Sequence, residues 1–276
     1  TIDYTCSSTQ ISGMSKNAFE SYLFKDGKPM ALTSLNKSDE APFQYGHLSL
    51  KDILAVRDKR LAQTIDTVLL YNGRGFTRFN TGMESTSSTG YGVAKYDNEA
   101  IPEGFRSQSG KNYTHAPLFW LSVIYLNYAE ACAELGNITQ DDLDKSINLL
   151  KDRAGLPHLN PIVGFSDPAN NHGVSDLIWE IRRERRCELM FDNDNRYWDL
   201  IRWHQLDKLD TTKYPDIILG ANVANDMDGC EANKVGKYID GSKDGSRIYD
   251  KKHYLYPIPT GQIALNPQLA PNNPGW

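Results

Sequence analysis

The stretch "IRRERRCELMFDNDNRYWDLIRW", Ile181 to Trp203, carries the strongest pattern in this 276-residue chain. It continues a helix that is predicted to begin after Ser175, a residue type favoured at N-caps, and its apolar side chains fall roughly on one face. The spacing of Leu200 and Ile201 predicts a second short helix directly after it. Arginine and carboxylate side chains fill most other positions, so ion pairs are expected to hold this helix pair in a scaffold.

Glu180, Glu184 and Glu188 repeat every four residues, which places their carboxylates on one face of the predicted helix. One interpretation is a glycoside hydrolase using Glu184 and Glu188, because that chemistry needs two carboxyl groups roughly 5–10 Å apart. The other is structural, since the arginines at 182–186 keep carboxylates ionised, whereas a general acid must hold a proton. We favour the structural interpretation. The sequence also has no nucleophile elbow or P-loop, and no enzyme is predicted.

The segment "APLFWLSVIYLNYAEACAELG" predicts a helix from near Pro117 to Gly136 that is buried on several sides, because apolar residues lie nearly all round it. The next helix is predicted to open at Thr139, with Asp142 completing a capping box, and to end at Gly155. Two antiparallel helices in about 38 residues form a unit of tetratricopeptide size.

The sequence therefore predicts an all-α fold of tetratricopeptide-like helical hairpins, with extensive irregular loops and little β-structure. One domain is expected over residues 1–276, with a loop-rich part at 1–115, a helical core at 116–210, and loops followed by a proline-rich extended tail at 211–276. The tail, "LYPIPTGQIALNPQLAPNNPGW", has five prolines among apolar residues. It is predicted to be ordered and seated against the helices, with Trp276 packed.

The charged helix pair resembles the most characteristic segment of SusD/RagB-type nutrient-binding outer-membrane lipoproteins, which are typical of Bacteroidetes. The family pattern reads roughly I-x-x-E-R-x-x-E-L-x-F-E-x-x-R-x-x-D-L-x-R-W, and Asp192 stands here for its last glutamate. The matching positions are Ile181, Glu184, Arg185, Glu188, Leu189, Phe191, Arg196, Asp199, Leu200, Arg202 and Trp203. Three further blocks of the chain also resemble the family and occur in the family's order. Two precede the helix pair, "SYLFKDGKP" with "RDKRLAQTI" and "YLNYAEACAELG" with "INLLKDRAGLP", and one comes after it, "YPIP" with "NPQL" and "NNPGW".

This resemblance covers the family's C-terminal half, and implies that the N-terminal helical half and the lipid-modified cysteine lie outside this chain. It implies a location at the outer membrane, exposed at the cell surface, with attachment only through that lipid anchor. The expected function is non-catalytic binding of oligosaccharides and their hand-over to a SusC-like TonB-dependent transporter. Peptide binding on the same scaffold, as in RagB-type members, is the alternative.

Aromatic residues scattered through polar, Gly-rich loops are the candidates for ligand binding, because sugar rings present apolar faces and hydroxyl rims. Some of these rings are expected to anchor their loops on the helices, and at least one or two to face ligand. The candidate residues are Phe43, Tyr45, Tyr71, Asn72, Arg74, Phe76, Arg78, Tyr91, Tyr96 and Asp97. The tryptophans that lie at helical spacing among apolar residues are predicted to be core: Trp120, Trp179, Trp198 and Trp203.

Composition excludes several other classes of function. The net charge is −5 and basic and acidic residues are interspersed, so the sequence does not predict the basic patch of a nucleic-acid-binding protein. The apolar run at 116–129 is shorter than the roughly 20 residues of a membrane helix. The six histidines lack zinc-ligand spacing, so no metal or other cofactor is predicted, apart from structural calcium at the incomplete loop patterns 192–197 and 225–231. The four cysteines form no CxxC pair; Cys132 and Cys187 are expected to be small buried hydrophobes, and three disulfide pairings stay open.

Overall fold

Helices dominate the structure, as the sequence predicted, and the only sheet among the described residues is small. The computed structural model describes residues 13–35, 54–65, 89, 91–93, 95, 100–102, 105, 108, 110, 111, 113, 115, 117–192, 195–222, 234–242 and 245–276. The α-helices are α1 (Lys16–Ser21), α2 (Lys59–Thr64), α3 (Leu121–Glu134), α4 (Gln140–Asp144), α5 (Ile147–Ala154), α6 (Asp176–Glu188), α7 (Asn195–Arg202) and α8 (Thr260–Leu265). Short 3-10 helices cover Leu206–Leu209, Pro215–Ile217, Lys251–Tyr254 and Pro267–Leu269.

The predicted hairpin consists of α3 followed by α4 and α5. The Thr139 hydroxyl accepts from the Asp142 N–H and the Asp142 carboxylate accepts from the Thr139 N–H, which completes the predicted capping box. The helix predicted to run on to Gly155 is interrupted after Asp144. There the Ser146 hydroxyl donates to the Asp142 carbonyl and competes with the helical ladder. Gly155, with φ of 72°, closes α5 in a left-handed cap.

Helix α3 differs from its prediction at its start and on its outer face. It begins at Leu121 rather than near Pro117, and Trp120, at its N-cap, makes no side-chain capping bond. The prediction of burial on several sides is wrong, because α5 and α6 contact its inner side and leave an outer stripe uncovered. The exposed apolar side chains of that stripe are Leu121, Ile124 and Tyr128, with Leu135 just beyond the helix.

Helix α6 lies between two apolar clusters and contacts α1, α2, α3 and α5. One cluster contains Phe19, Tyr22 and Cys187, and the other contains Leu126 and Ile181. Cys187 is a free thiol in the first cluster, as predicted, and burial raises its pKa to about 11, so it has little thiolate character. The four described helices around α6 therefore share one central element.

Buried ion pairs fix the face of α6 that carries Glu180, Glu184 and Glu188, which we call the carboxylate face. Arg60 of α2 bonds both Glu184 and Glu188, and Lys151 of α5 lies 3.5 Å from Glu184. Burial alone would raise the pKa of Glu184, but the charges of Arg60 and Lys151 hold it below its usual value. Glu184 therefore acts as an ionised structural anchor.

A second group of ion pairs attaches α7 and α3 to α6. The Asp199 carboxylate accepts from Arg185 Nε at 2.7 Å and from Arg202 Nε at 2.8 Å. Arg202 also bonds Glu130 of α3 at 2.6 Å, and Trp203 Nε1 donates to the same carboxylate at 2.6 Å. The two helices of the sequence pattern are thus joined through their own charged residues, as expected.

The little β-structure consists of β1 (Leu219–Asn222), β2 (Lys234–Val235) and β3 (Tyr238–Asp240). They form an antiparallel sheet in the order β1-β3-β2. Ala221 N–H also donates to the Thr89 carbonyl at 2.8 Å, and a Cβ at Gly220 would collide with the Thr89 backbone. Glycine at 220 thus allows the close backbone approach that attaches this sheet beside α1.

The C-terminal tail is ordered, but it folds on itself rather than seating its apolar residues against the helices. Asn272 bonds both the N–H and the carbonyl of Ile258, at 2.8 and 3.1 Å. The prediction that Trp276 packs is confirmed only in part: its Nε1 donates to the Leu255 carbonyl at 2.9 Å, but the side chain stays 46% exposed, and Tyr256 stays 71% exposed. The tail is also less extended than predicted, because α8 forms between its proline clusters. Within the described residues, no helix combines the length and hydropathy that a membrane crossing requires.

Removing the Arg60 guanidinium should strongly destabilise the fold. In Arg60→Met the Glu184 carboxylate, 2% exposed, loses its closest counter-charge. Stranding a buried charge typically costs about 3–5 kcal/mol, so the midpoint of urea unfolding, followed by circular dichroism, should fall clearly. Lys145→Met, which breaks the exposed pair with Asp141 on α4, is the control and should leave the midpoint unchanged. Equal midpoints for the two variants would contradict the anchoring role of Arg60.

Candidate functional site

A cavity of about 500 Å³ opens between α1, α6, α7 and the 3-10 helices that follow α7. Its volume is in the range of about 300–1,000 Å³ that is common for small-molecule sites. Its charged and aromatic lining consists of Arg182, Arg183, Arg186, Arg196, Lys208 and Arg247, of Glu20, Asp167 and Asp216, and of Trp179, Trp203 and Tyr214. Because cations outnumber carboxylates two to one in this lining, we call it the cationic cavity.

The geometry of α6 explains why its arginines reach this cavity. Residues two apart on a helix are separated by about 200° around its axis, so positions 182 and 186 lie nearly opposite the carboxylate face. Arg182 and Arg186 thus point towards the cavity while the carboxylate face binds α2 and α5. Helix α7 adds Arg196, and the 3-10 helix Leu206–Leu209 adds Lys208.

Every carboxylate of the cationic cavity already has a bonding partner. Glu20 pairs with Lys16, Asp167 with Arg183, and Asp216 accepts from Asn17 at 2.5 Å. Asp167 also accepts from Trp179 Nε1 at 3.1 Å. Glu20 and Asp167 are therefore neutralised by cations, whereas Asp216 bonds a neutral amide and keeps a negative charge that acts on Arg186.

Four cations of the cavity have no carboxylate partner among the described residues: Arg247, which is exposed, and Arg186, Arg196 and Lys208. No carboxylate of the described residues lies within ion-pair distance, 4.0 Å, of the side-chain nitrogens of Arg186, Arg196 or Lys208. Arg186 donates to the Asn17 amide oxygen at 2.7 Å, a neutral acceptor. The side chains of Arg186, Arg196 and Lys208 are partly buried. An excess of positive charge thus faces a partly desolvated space.

The pKa values of these groups express the same excess. Burial, and then the nearby charge of Arg186, lower the pKa of Arg196 to about 9. Burial, followed by the charges of Arg196 and Arg186, lowers the pKa of Lys208 to about 7. Arg196 therefore remains charged at neutral pH, whereas Lys208 is close to half protonated there.

The tryptophans of the cavity hold cations over their rings. Lys208 Nζ lies 4.6 Å from the centroid of Trp179, and the guanidinium carbon of Arg196 lies 5.8 Å from that of Trp203. Cation–π attraction of this kind stabilises a cation without neutralising it. The prediction that these tryptophans are core is therefore incomplete for Trp179 and Trp203, which line the cavity, and wrong for Trp198, which is 58% exposed.

Among the predicted ligand-binding residues, Tyr91 is the one whose position is described. Its ring is 6% exposed and stacks on Phe19 with centroids 4.3 Å apart, in the same cluster as Tyr22. Burial removes its face from solvent, so Tyr91 anchors its loop rather than presenting a ligand platform. Phe43, Tyr45, Tyr71, Asn72, Arg74, Phe76, Arg78, Tyr96 and Asp97 lie outside the described residues.

The sequence predicts the charged residues of α6 and α7 as scaffold and does not predict the cationic cavity. The sequence does contain a pattern that could have indicated the cavity, since Arg182 and Arg186 repeat at helical spacing on the side opposite the carboxylate face. What the sequence lacked was the partner of each arginine, which depends on contacts such as Arg183 with Asp167. Of the calcium patterns, 225–231 lies outside the described residues and 192–197 does so in part. No group of three metal-ligating side chains occurs in the described part of the chain.

Comparison with known proteins agrees with this architecture. The model of the SusD family matches residues 5–276, and the chain belongs to that family. A similar solved structure is the crystal structure of a SusD-like protein from Bacteroides fragilis NCTC 9343, with a TM-score of 0.57 and 22% sequence identity. The match covers 96% of this chain and 47% of that one, so the chain spans about half the length of its structural relative. No curated protein sequence matches the chain.

The Lys208 ammonium group should lose its proton near neutral pH. Its unfolded pKa is about 10.4, so between about pH 7 and that value the unfolded chain binds more protons and stability should rise with pH. An NMR titration of the lysine side chains, with the Lys208 signal assigned by its loss in Lys208→Met, should give a midpoint near 7. A midpoint close to the unfolded value would show that the surrounding cations and burial do not act on Lys208.

Proposed function

We propose that this chain binds oligosaccharides without catalysis at the surface of the outer membrane, and that a SusC-like TonB-dependent transporter receives them. Membership of the SusD family supports nutrient binding at the cell surface. The observation that carries the proposal to particular residues is the cationic cavity, which offers fixed donors beside aromatic rings. Tyr214 and Gln205 add neutral polar groups to its lining, of the kind that recognise sugar hydroxyls.

The state of the carboxylates supports binding rather than hydrolysis. Glu184 and Glu188 both bond Arg60, and neither lines the described part of the cavity. Burial raises the pKa of Glu180 to about 8, but Glu180 is 3% exposed and its carboxylate accepts from Arg183 Nε at 3.1 Å. Among the described residues, no carboxyl group with a raised pKa therefore reaches the cavity to serve as a general acid.

Peptide binding is the second candidate for the same cavity. Its guanidinium groups suit the carboxylates of a peptide as well as those of a sugar, since Arg binds either through paired hydrogen bonds. A ligand panel that contains both classes separates the two candidates.

Calorimetric titration of the full-length protein with neutral and acidic oligosaccharides, and with short peptides, tests the proposal. Tyr214→Ala should weaken sugar binding at least several-fold, because Tyr214 lines the cavity and its hydroxyl accepts from Asn171 at 3.1 Å. Tyr128→Ala, on the outer face of α3, is the matched control and should bind as the parent does.

Other results would redirect the assignment. Weakening only in Tyr71→Ala, Phe76→Ala or Tyr96→Ala would place the sugar on the loops instead of the cavity. Product formation that Glu184→Gln abolishes, with the fold intact, would overturn non-catalytic binding. Hand-over is tested separately: the full-length protein should copurify from outer membranes with a TonB-dependent transporter, and failure to do so would leave binding alone.

A further inference from the structure

Helix α6 carries balanced charges on its carboxylate face and unbalanced positive charge on the side that lines the cationic cavity. The carboxylate face is matched by Arg60 and Lys151, whereas no described carboxylate lies within 4.0 Å of the side-chain nitrogens of Arg186, Arg196 or Lys208. Partly burying cations that also repel one another is unfavourable unless an anion enters. The natural complement of this space is therefore a ligand that brings more than one negative charge.

The orientation of the arginines indicates which anion fits. Arg186 is fixed by its bond to Asn17, which leaves further N–H groups of its planar fork without a carboxylate. Arg182 is different, because its Nη2 pairs with Glu134 at 3.1 Å and only its buried Nε, 3.8 Å from Glu130, has no hydrogen-bond partner in the described part of the chain. Planar guanidinium groups with unused donors match planar carboxylates, which accept two parallel hydrogen bonds.

We propose that the cationic cavity selects acidic oligosaccharides, whose sugar rings carry carboxylate groups. This inference rests on the proposed function and narrows its ligand class. The ligand's carboxylates bind between Arg186, Arg196 and Lys208, and its hydroxyls bind the neutral groups Gln205 and Asn171 that line the same space. A neutral sugar leaves the cations unpaired and binds more weakly.

The test compares two ligands that differ only in charge: an oligomer of galacturonic acid, and the galactose oligomer obtained by reducing its carboxyl groups. Calorimetry of the full-length protein below the pKa of Lys208 should show binding of the acid at least about tenfold tighter, the effect expected of charged hydrogen bonds in a partly desolvated site. Arg196→Gln and Lys208→Met should each reduce this preference. Lys213→Met, an exposed lysine outside the cavity lining, should retain it.

The melting temperature of the same variants separates a ligand-binding role from a structural one, because loss of a structural residue should lower it. Removing an unpaired, partly buried cation should leave the melting temperature unchanged or raise it, since desolvation and repulsion are relieved. A folded Arg196→Gln with lower melting temperature and unchanged ligand preference would show a structural role and overturn the inference. If Arg196→Gln does not fold, Lys208→Met decides the same question.

The remaining outcomes separate this inference from the proposed function. Equal affinity for the two oligomers, unaffected by either variant, overturns acid selection and leaves oligosaccharide binding in place. Binding of oligoglutamate but of neither oligomer overturns the acidic-sugar class in favour of an acidic peptide. An absence of binding to any oligosaccharide in the wider panel overturns both proposals.

Discussion

The buried ion pair between Glu184 and Arg60 is the contact on which the described helical scaffold most depends. It lies where α2, α5 and α6 meet, and both partners are almost fully removed from solvent. Neither charge can remain there alone at acceptable cost, so the presence of one fixes the position of the other. This requirement sets the rotation of α6 about its own axis, beyond what its apolar residues alone would specify.

The rotation of α6 in turn positions the cationic cavity. With the carboxylate face turned towards Arg60 and Lys151, the side chains at 182 and 186 must leave the helix on its other side. Helix α7 is bound to α6 through Asp199, and this contact brings Arg196 to the same space. The stabilising pairs and the unpaired cations are therefore two consequences of one distribution of charge along the helix.

Local features of the fold could be predicted from the sequence, and long-range ones could not. The capping box at Thr139 and the cap at Gly155 depend on a few neighbouring residues, and both are confirmed. The exposed outer stripe of α3 depends on which helices pack against it, and apolar periodicity carries no such information. The same limit applies to the cavity: Arg183 and Arg186 look equivalent in the sequence, yet the fold gives a carboxylate partner only to Arg183 among the described residues.

Tryptophan explains how this scaffold can keep cations without counter-ions. A carboxylate placed beside Lys208 would stabilise it, but would also cancel the charge that a ligand could use. The ring of Trp179 attracts the Lys208 ammonium while carrying no net charge, and Trp203 does the same for Arg196 at 5.8 Å. Both rings are tied to carboxylates through Nε1, so their positions are fixed by the ion-pair scaffold itself. Positive charge is thereby held in place at the cavity and remains available to an anion.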